Sequence, residues 1–166
     1  INIITIIIGA IMDSTFASGI ASATPIVVLA ALLGAQPGLA EAPQTASLEV
    51  TVTGIKNAKG VIQLAICPPN AGFPDCKGKV VRSAKLSIVN GQAYGRFDGL
   101  PAGSYAVSVF HDVNSNAKLD TFAGIPKEGY DFSRNPGFKP RAPKFAEAEV
   151  VVQGAAKTTI KLRYLL

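Results

Sequence analysis

The stretch that decides the fold is YAVSVFHD, from Tyr105 to Asp112. Every second side chain of this stretch would lie on one face of a sheet: Tyr105, Val107, Val109 and His111. An alternation of period two is typical of a β-strand that buries one face. Because neighbouring residues of a strand point to opposite faces, His111 and Asp112 should point away from each other. The stretch therefore predicts a strand whose end carries two polar residues.

Six further runs share this pattern and contain few helix signals: SLEVTVTG, VIQLAIC, VVRSAKLSIV, QAYGRF, AEAEVVVQG and KTTIKLRYLL. Asn90-Gly91 separates two of these runs and is typical of a tight hairpin turn. A second hairpin is expected around Gly154, between the last two runs. We therefore predict an all-β fold, an antiparallel seven-stranded Greek-key β-sandwich over residues 47–166.

An apolar leader precedes this domain. Residues 1–40 contain no Lys or Arg, and Ile26–Leu33 reads IVVLAALL before the small-residue segment Gly38-Leu39-Ala40. This layout predicts a cleaved signal peptide, with residues 41–46 as a short linker. A membrane anchor is the alternative, but a span needs about 20 apolar residues. We expect translation to start at Met12 and the mature protein to be periplasmic or secreted, with no stable membrane span.

Cys67 and Cys76 are the only cysteines, and they flank the Pro-rich segment PPNAGFPD. In an exported protein such a pair predicts a disulfide. Two free thiols in a cytosolic protein are the alternative. A zinc site is not expected, because the chain has a single histidine and no C-x-x-C spacing.

The segment from Val113 to Phe145 is much longer than an ordinary loop and carries several aromatic residues, which favours an ordered loop over disorder. Its polar half, residues 111–133, contains the candidate site residues His111, Asp112, Asn114, Asn116, Lys118, Asp120, Glu128, Tyr130 and Ser133.

Calcium is one hypothesis for this loop. Oxygen ligands at alternate positions suit a hard cation, and the candidate ligands are Asp112, Asn114, Asn116, the carbonyl of Lys118, and Asp120. Two residues depart from a calcium loop, since Ala117 replaces the turn Gly and Ala123 replaces the bidentate Glu. The alternative is a loop in which Asp and Asn side chains bind nearby backbone amides. No other cofactor is indicated.

His111 raises the question of catalysis. A secreted hydrolase could use His111 with Asp112, Asp120 or Glu128, but no G-x-S-x-G nucleophile motif is present. Adjacent strand residues face apart, so His111 and Asp112 cannot act as base and orienting carboxylate. We expect instead that the ring of His111 binds the long loop, with the carboxylate of Glu128 as its partner.

The net charge from Pro43 onward is +7, because all 16 basic residues but only nine acids follow that point. The basic residues form no long block and are not interleaved with aromatic residues, so a nucleic-acid partner is not expected. A weak attraction to anionic envelope polymers is the alternative to a solvated surface.

Four ordered motifs resemble the secreted bacterial family known as domain of unknown function 2141. They are L-P-x-G-x-Y-A at Leu100–Ala106, H-D-x-N-x-N-x-x-x-D at His111–Asp120, G-x-P-x-E-G-Y-x-F-S at Gly124–Ser133, and P-x-F-x-x-A at Pro143–Ala148. Ala117 and Asp131 stand where the family usually has glycine. The resemblance implies export and an immunoglobulin-like sandwich similar to transthyretin-like and Cna-B-type domains, and it implies no activity.

The function expected from these observations is a non-enzymatic binding or structural module of the envelope or the secreted fraction. Its partner would be an envelope protein or a glycan. The hydrolase using His111 with Asp112 or Glu128 is the alternative.

Overall fold

The structure, a computed structural model, describes residues 45–166. The predicted leader, its cleavage segment and the start at Met12 lie outside the described residues. β1 begins at Thr45, because Thr45 and Ala46 pair with Pro101 and Leu100 beyond a bulge in the strand.

Ten strands occur in residues 45–166, and seven of them have four residues or more. They are β1 Thr45–Thr53, β2 Val61–Cys67, β3 Arg82–Leu86, β4 Ala93–Pro101, β5 Gly103–Asp112, β6 Thr121–Phe122, β7 Ile125–Pro126, β8 Tyr130–Phe132, β9 Glu149–Val152 and β10 Ala155–Lys161. A 3-10 turn covers Cys76–Gly78, and a single helical turn, α1, covers Phe145–Ala148.

The two main sheets have the orders β10–β1–β4 and β3–β2–β5–β8, and β9 also pairs with β5. All these pairings are antiparallel except β1 with β10, which is parallel. β6 and β7 form a separate short hairpin. The all-β class with antiparallel sheets is therefore confirmed, while the Greek-key order and a strict seven-strand count stay predictions.

Both predicted turns connect the two sheets. Asn90 and Gly91 have positive φ angles of 50° and 73° and are flanked by the bridge Val89–Gln92, as a type I′ turn requires. Beyond the bridge, β3 and β4 separate into different sheets. The hairpin expected at Gly154 is wrong, because β9 pairs with β5 whereas β10 pairs with β1. Both segments bury one face in the same core, so they occupy facing sheets.

The core lies between the two main sheets and contains the residues predicted from the alternation. β1 contributes Leu48, Val50 and Val52, β2 contributes Ile62, Leu64 and Ile66, and β5 contributes Tyr105, Val107 and Val109. Their side chains are at least 95% buried. The hydroxyl of Tyr105 also donates to the carbonyl of Pro101 at 2.7 Å, which fixes the turn before β5. The alternation that predicted the strands thus defines the core.

The predicted disulfide joins Cys67 and Cys76. Both cysteines are fully buried and pack with Ala71 and the half-buried Phe73 into a small second cluster. The ring of Phe73 makes an edge contact with Phe132 of β8 at 5.4 Å between ring centroids. The disulfide loop is therefore packed against the sheet that contains β5.

Candidate functional site

The polar site lies where β5 ends and the long loop begins. β5 delivers His111 and Asp112 to opposite faces, and both side chains are fully buried. The chain then runs through residues 113–129 and returns as β8, which pairs with β5 from Ser108 to Phe110. The loop is thus closed against the strand from which it leaves.

The carboxylate of Asp112 holds the first turn of this loop. Its Oδ1 accepts the amide of Asn116 at 2.9 Å, and its Oδ2 accepts the amide of Ala117 and the Nε2 of Gln63, both at 2.8 Å. Burial by itself raises the pKa of Asp112, but the hydrogen bonds from Gln63 and from the loop amides outweigh it and lower the pKa below 3.8. Asp112 is therefore an ionised carboxylate enclosed by donors.

The exposed part of the loop repeats this pattern. Asn114 Oδ1 accepts the amide of Asn116 at 3.1 Å, and Asn116 Oδ1 accepts the amide of Lys118 at 2.8 Å. The Nδ2 groups of both asparagines donate to the carboxylate of Asp120 at 2.8 and 3.1 Å. Ala117 has a φ of 61°, the left-handed conformation in which a calcium loop has its glycine.

Glu128 closes the loop from its far end. Its side chain is 6% exposed, and its two carboxylate oxygens accept the amides of Val113 at 2.9 Å and Asp120 at 3.0 Å. The carbonyl of Asp120 in turn accepts the amide of Lys127 at 2.9 Å. Glu128 thus joins the start of the loop to its middle.

The partner predicted for His111 is wrong, because its ring contacts Tyr164 and Lys59 instead of Glu128. The Nε2 lies 2.7 Å from the carbonyl oxygen of Lys59, and the Nδ1 lies 2.9 Å from the hydroxyl of Tyr164. A carbonyl oxygen only accepts, so Nε2 carries the proton and Nδ1 accepts from Tyr164. The Tyr164 hydroxyl itself accepts the amide of Lys56 at 3.1 Å. Both ring nitrogens of His111 therefore have a hydrogen-bond partner.

Two glycines permit this close arrangement. A Cβ on Gly60 would lie 1.9 Å from the carbonyl oxygen of Asp112, and Gly60 has a φ of 70°. A Cβ on Gly129 would lie 2.3 Å from the ring of Tyr164. Burial raises the pKa of Tyr164, which keeps its hydroxyl protonated and able to donate to His111. A larger residue would therefore clash with backbone at position 60 and with the ring of Tyr164 at position 129.

Of the remaining predicted residues, Ser133 is buried, Tyr130 is half-buried and Lys118 is exposed. Ser133 is fully buried, and its Oγ accepts the amide of Val107 at 2.9 Å and donates to the carbonyl of Ala148. Tyr130 is half-buried, and burial raises the pKa of its hydroxyl. The side chain of Lys118 is exposed on the loop.

Asp131, which replaces a glycine of the family pattern, forms an ion pair that the sequence analysis missed. Its side chain is 3% exposed and binds the guanidinium of Arg163 through two hydrogen bonds of 2.7 and 2.8 Å. Arg163 also donates to the carbonyl of Pro136 at 2.5 Å. The carboxylate that replaces the glycine at position 131 is therefore neutralised by the guanidinium of Arg163.

Within residues 45–166, the predicted carboxylate and amide side chains bind the loop backbone and one another. No three His, Cys, Asp or Glu side chains in residues 45–166 converge to hold a metal ion. Every buried side-chain nitrogen or oxygen in that range has a hydrogen-bond partner. The asparagine oxygens bind backbone amides, so calcium coordination would require both amide groups to turn around. The arrangement fits the hydrogen-bonded form of the loop.

An open groove of about 530 Å³ lies along the same loop. Its walls are residues 136–143, Tyr130 and Phe132 of β8, Leu165, and the β6–β7 segment, which contributes Leu119 and residues 124–126. His111, Asp112 and Glu128 do not belong to its lining. The closed polar cluster and the open apolar groove are therefore separate features of one loop.

The fold and this site define a class of all-β protein with a long polar loop that is closed by its own hydrogen bonds. The chain belongs to the bacterial family described as "Uncharacterized protein conserved in bacteria (DUF2141)", whose model matches residues 50–161. No curated protein matches the chain. Within the described part of the chain, no helix combines the length and the apolar character needed to cross a membrane.

Proposed function

We propose that this protein is an exported binding module of the bacterial envelope, which holds a partner in the groove and catalyses no reaction. The observation that carries the proposal is the contrast between the two features of the loop. His111, Asp112 and Glu128 are buried and hydrogen-bonded, whereas the groove beside them is open and apolar. Pockets of this size and character are typical of ligand sites.

The hydrolase alternative requires an imidazole with a free nitrogen beside a nucleophile or a bound water. Both nitrogens of His111 have partners, and its neighbour Tyr164 is held by the amide of Lys56. Asp112 and Glu128 each bind backbone amides and do not contact the ring. These contacts support a structural role for the histidine, which connects β5 to the end of the chain.

Calcium binding by Asp112, Asn114, Asn116, the Lys118 carbonyl and Asp120 stays a hypothesis about stability of the loop. It is supported by the left-handed Ala117 and by the oxygen-rich composition. Unfolding with calcium and with a chelator separates calcium binding from the hydrogen-bonded form of the loop.

Site-specific photo-crosslinking in intact bacteria tests the proposed function. A benzophenone amino acid replaces Phe138, a groove residue that is 63% exposed, and Val151 of β9, which is 57% exposed and lies outside the groove, serves as the matched control. We expect a discrete adduct from position 138 and none from position 151. Equal labelling at both positions, or none at either, would reject the groove as the binding site.

Export is tested on the same strain. We expect the protein in the periplasmic or secreted fraction. Because Cys67 and Cys76 are buried, alkylation is measured in denaturant, and both should resist it until they are reduced. Retention of the protein in the cytosol with two reactive thiols would reject the envelope location.

A further inference from the structure

The groove is lined by apolar side chains that remain accessible to solvent. Ile125 and Phe138 are 43% and 63% exposed, and Leu165 is 38% exposed. Exposed apolar residues scattered singly are ordinary, but several that line one concave site indicate a ligand or partner surface. The chemistry of the lining therefore identifies the class of ligand.

Prolines restrict what this groove can bind. Four of them line it: Pro126, Pro136, Pro140 and Pro143. Proline has no backbone N–H, and the carbonyl of Pro136 is already occupied by Arg163. A peptide or a sugar needs partners for the polar groups that it removes from water, and these four residues offer it no backbone donor. A hydrocarbon chain has no such groups to satisfy.

One charged cluster lines the groove beside this apolar surface. Glu147 accepts hydrogen bonds from the guanidinium of Arg141 at 2.8 and 3.0 Å and from the ammonium of Lys139. Hydrogen bonds from Arg141, Lys139 and the amide of Lys144 lower the pKa of Glu147, so it is ionised at neutral pH. Two cations face one anion, so this cluster has a net positive charge, and the N–H groups of Lys139 and Arg141 that Glu147 does not use can donate to a ligand. Arg163, the other cation of the lining, is committed to Asp131.

We infer that the groove binds a single-chain anionic amphiphile, with its hydrocarbon chain between the β6–β7 segment and residues 136–143 and its carboxylate at Lys139 and Arg141. The inference rests on the proposed function and names the ligand of that same groove. A concave site of about 530 Å³ accommodates one chain, whereas a bilayer surface would need apolar side chains on a convex face. The net charge of the sequence, +5, also favours an anionic ligand.

Calorimetric titration of the purified full chain with decanoate and with decanol tests this inference, because the two probes share a chain and differ in charge. We expect saturable binding of one decanoate per protein. Gly137→Phe should weaken both probes at least about tenfold by filling the groove. Gly137 tolerates a side chain, since an added Cβ meets no atom within 4 Å. Gly103→Phe is the matched control, because Gly103 has equal space and lies outside the groove.

Lys139→Ala should weaken decanoate about two- to fivefold and leave decanol unchanged, since it removes an exposed charge and not the apolar surface. Lys85→Ala is its control, because Lys85 is an exposed cation outside this groove. Loss of binding on Gly137→Phe, with a charge effect confined to decanoate and to Lys139, would establish the amphiphile site.

Three results would overturn the inference. The first is that neither probe binds the wild-type chain. The second is that both probes bind Gly137→Phe as well as they bind the wild type. The third is that the protein binds anionic phospholipid vesicles and not monomeric decanoate. If decanoate fails to bind while the crosslink from position 138 persists, the binding function stands and only the ligand class is rejected. If the crosslink also fails, the proposed function is rejected with it.

Discussion

The substitution Asp112→Asn tests whether one buried carboxylate holds the polar loop. Asparagine has nearly the same shape but offers one accepting oxygen where aspartate offers two. Oriented toward Ala117 and Gln63, that oxygen keeps two of the three bonds, and the new NH2 group then faces the amide of Asn116. The substitution therefore removes a charge and one acceptor while leaving the packing unchanged.

The expected cost follows from these contacts. A hydrogen bond to a charged group contributes about 1.5–3 kcal/mol and a neutral one about 0.5–1.5 kcal/mol. Losing one charged bond and weakening two others should lower the free energy of unfolding by about 2–4 kcal/mol, or the midpoint by roughly 10 °C. Asp120→Asn is the matched control, since its carboxylate binds only exposed asparagine side chains, and it should cost about 1 kcal/mol or less.

The effect of Asp112→Asn should depend on pH. The pKa of Asp112 is lowered in the folded state, so its contribution is fully present above the unfolded value, 3.8, and is lost as pH falls through the folded value. The difference in stability between wild type and Asp112→Asn should therefore be constant near neutral pH and shrink below pH 3.8.

Urea unfolding followed by circular dichroism, with calcium and with a chelator, provides the measurement. If the loop is held by hydrogen bonds alone, each protein should have the same unfolding midpoint with calcium as with the chelator. A rise with calcium that Asp112→Asn abolishes would establish a metal site instead. A neutral Asp112→Asn without any calcium response would refute the reasoning for both forms of the loop.

Three further substitutions test the surroundings of the site by the same unfolding measurement. Gly129→Ala should cost about 1–3 kcal/mol, because the new Cβ displaces the ring of Tyr164; a cost below the error of the assay would show that the ring moves freely. Arg163→Leu should cost about 3–5 kcal/mol by leaving the carboxylate of Asp131 buried without its partner, and adding Asp131→Leu should recover most of the loss, whereas additive losses would contradict the ion pair. Ala117→Gly should stabilise the protein by about 0.5–1 kcal/mol, since φ at this position is 61°; a destabilised variant would contradict the left-handed conformation.

The parts of the fold that were predictable from sequence depend on local patterns. The alternation in β1, β2 and β5 predicts the buried faces because one side of each strand lies in the core. The disulfide was predictable from two cysteines close in sequence. The turn at Asn90-Gly91 was predictable because its torsions require residues that tolerate positive φ.

The partners that were missed are distant in sequence. His111 and Tyr164 are 53 residues apart, and Asp131 and Arg163 are 32 residues apart. Nothing in the run LRYLL distinguishes its arginine and tyrosine as partners of a loop, because they are placed there by the antiparallel bridge between Arg163 and Tyr130. The sequence therefore predicts that the loop is closed, and the tertiary structure decides which residues close it.

The polar cluster and the groove depend on each other physically. Glu128 and the carbonyl of Asp120 hold the segment that carries β6 and β7, which is one wall of the groove. Arg163 binds both Asp131 and the carbonyl of Pro136, where the opposite wall begins. A binding site between two loops needs fixed walls, because the cost of ordering them would otherwise reduce the affinity. The buried polar residues are thus best understood as a scaffold that keeps an apolar groove open in water.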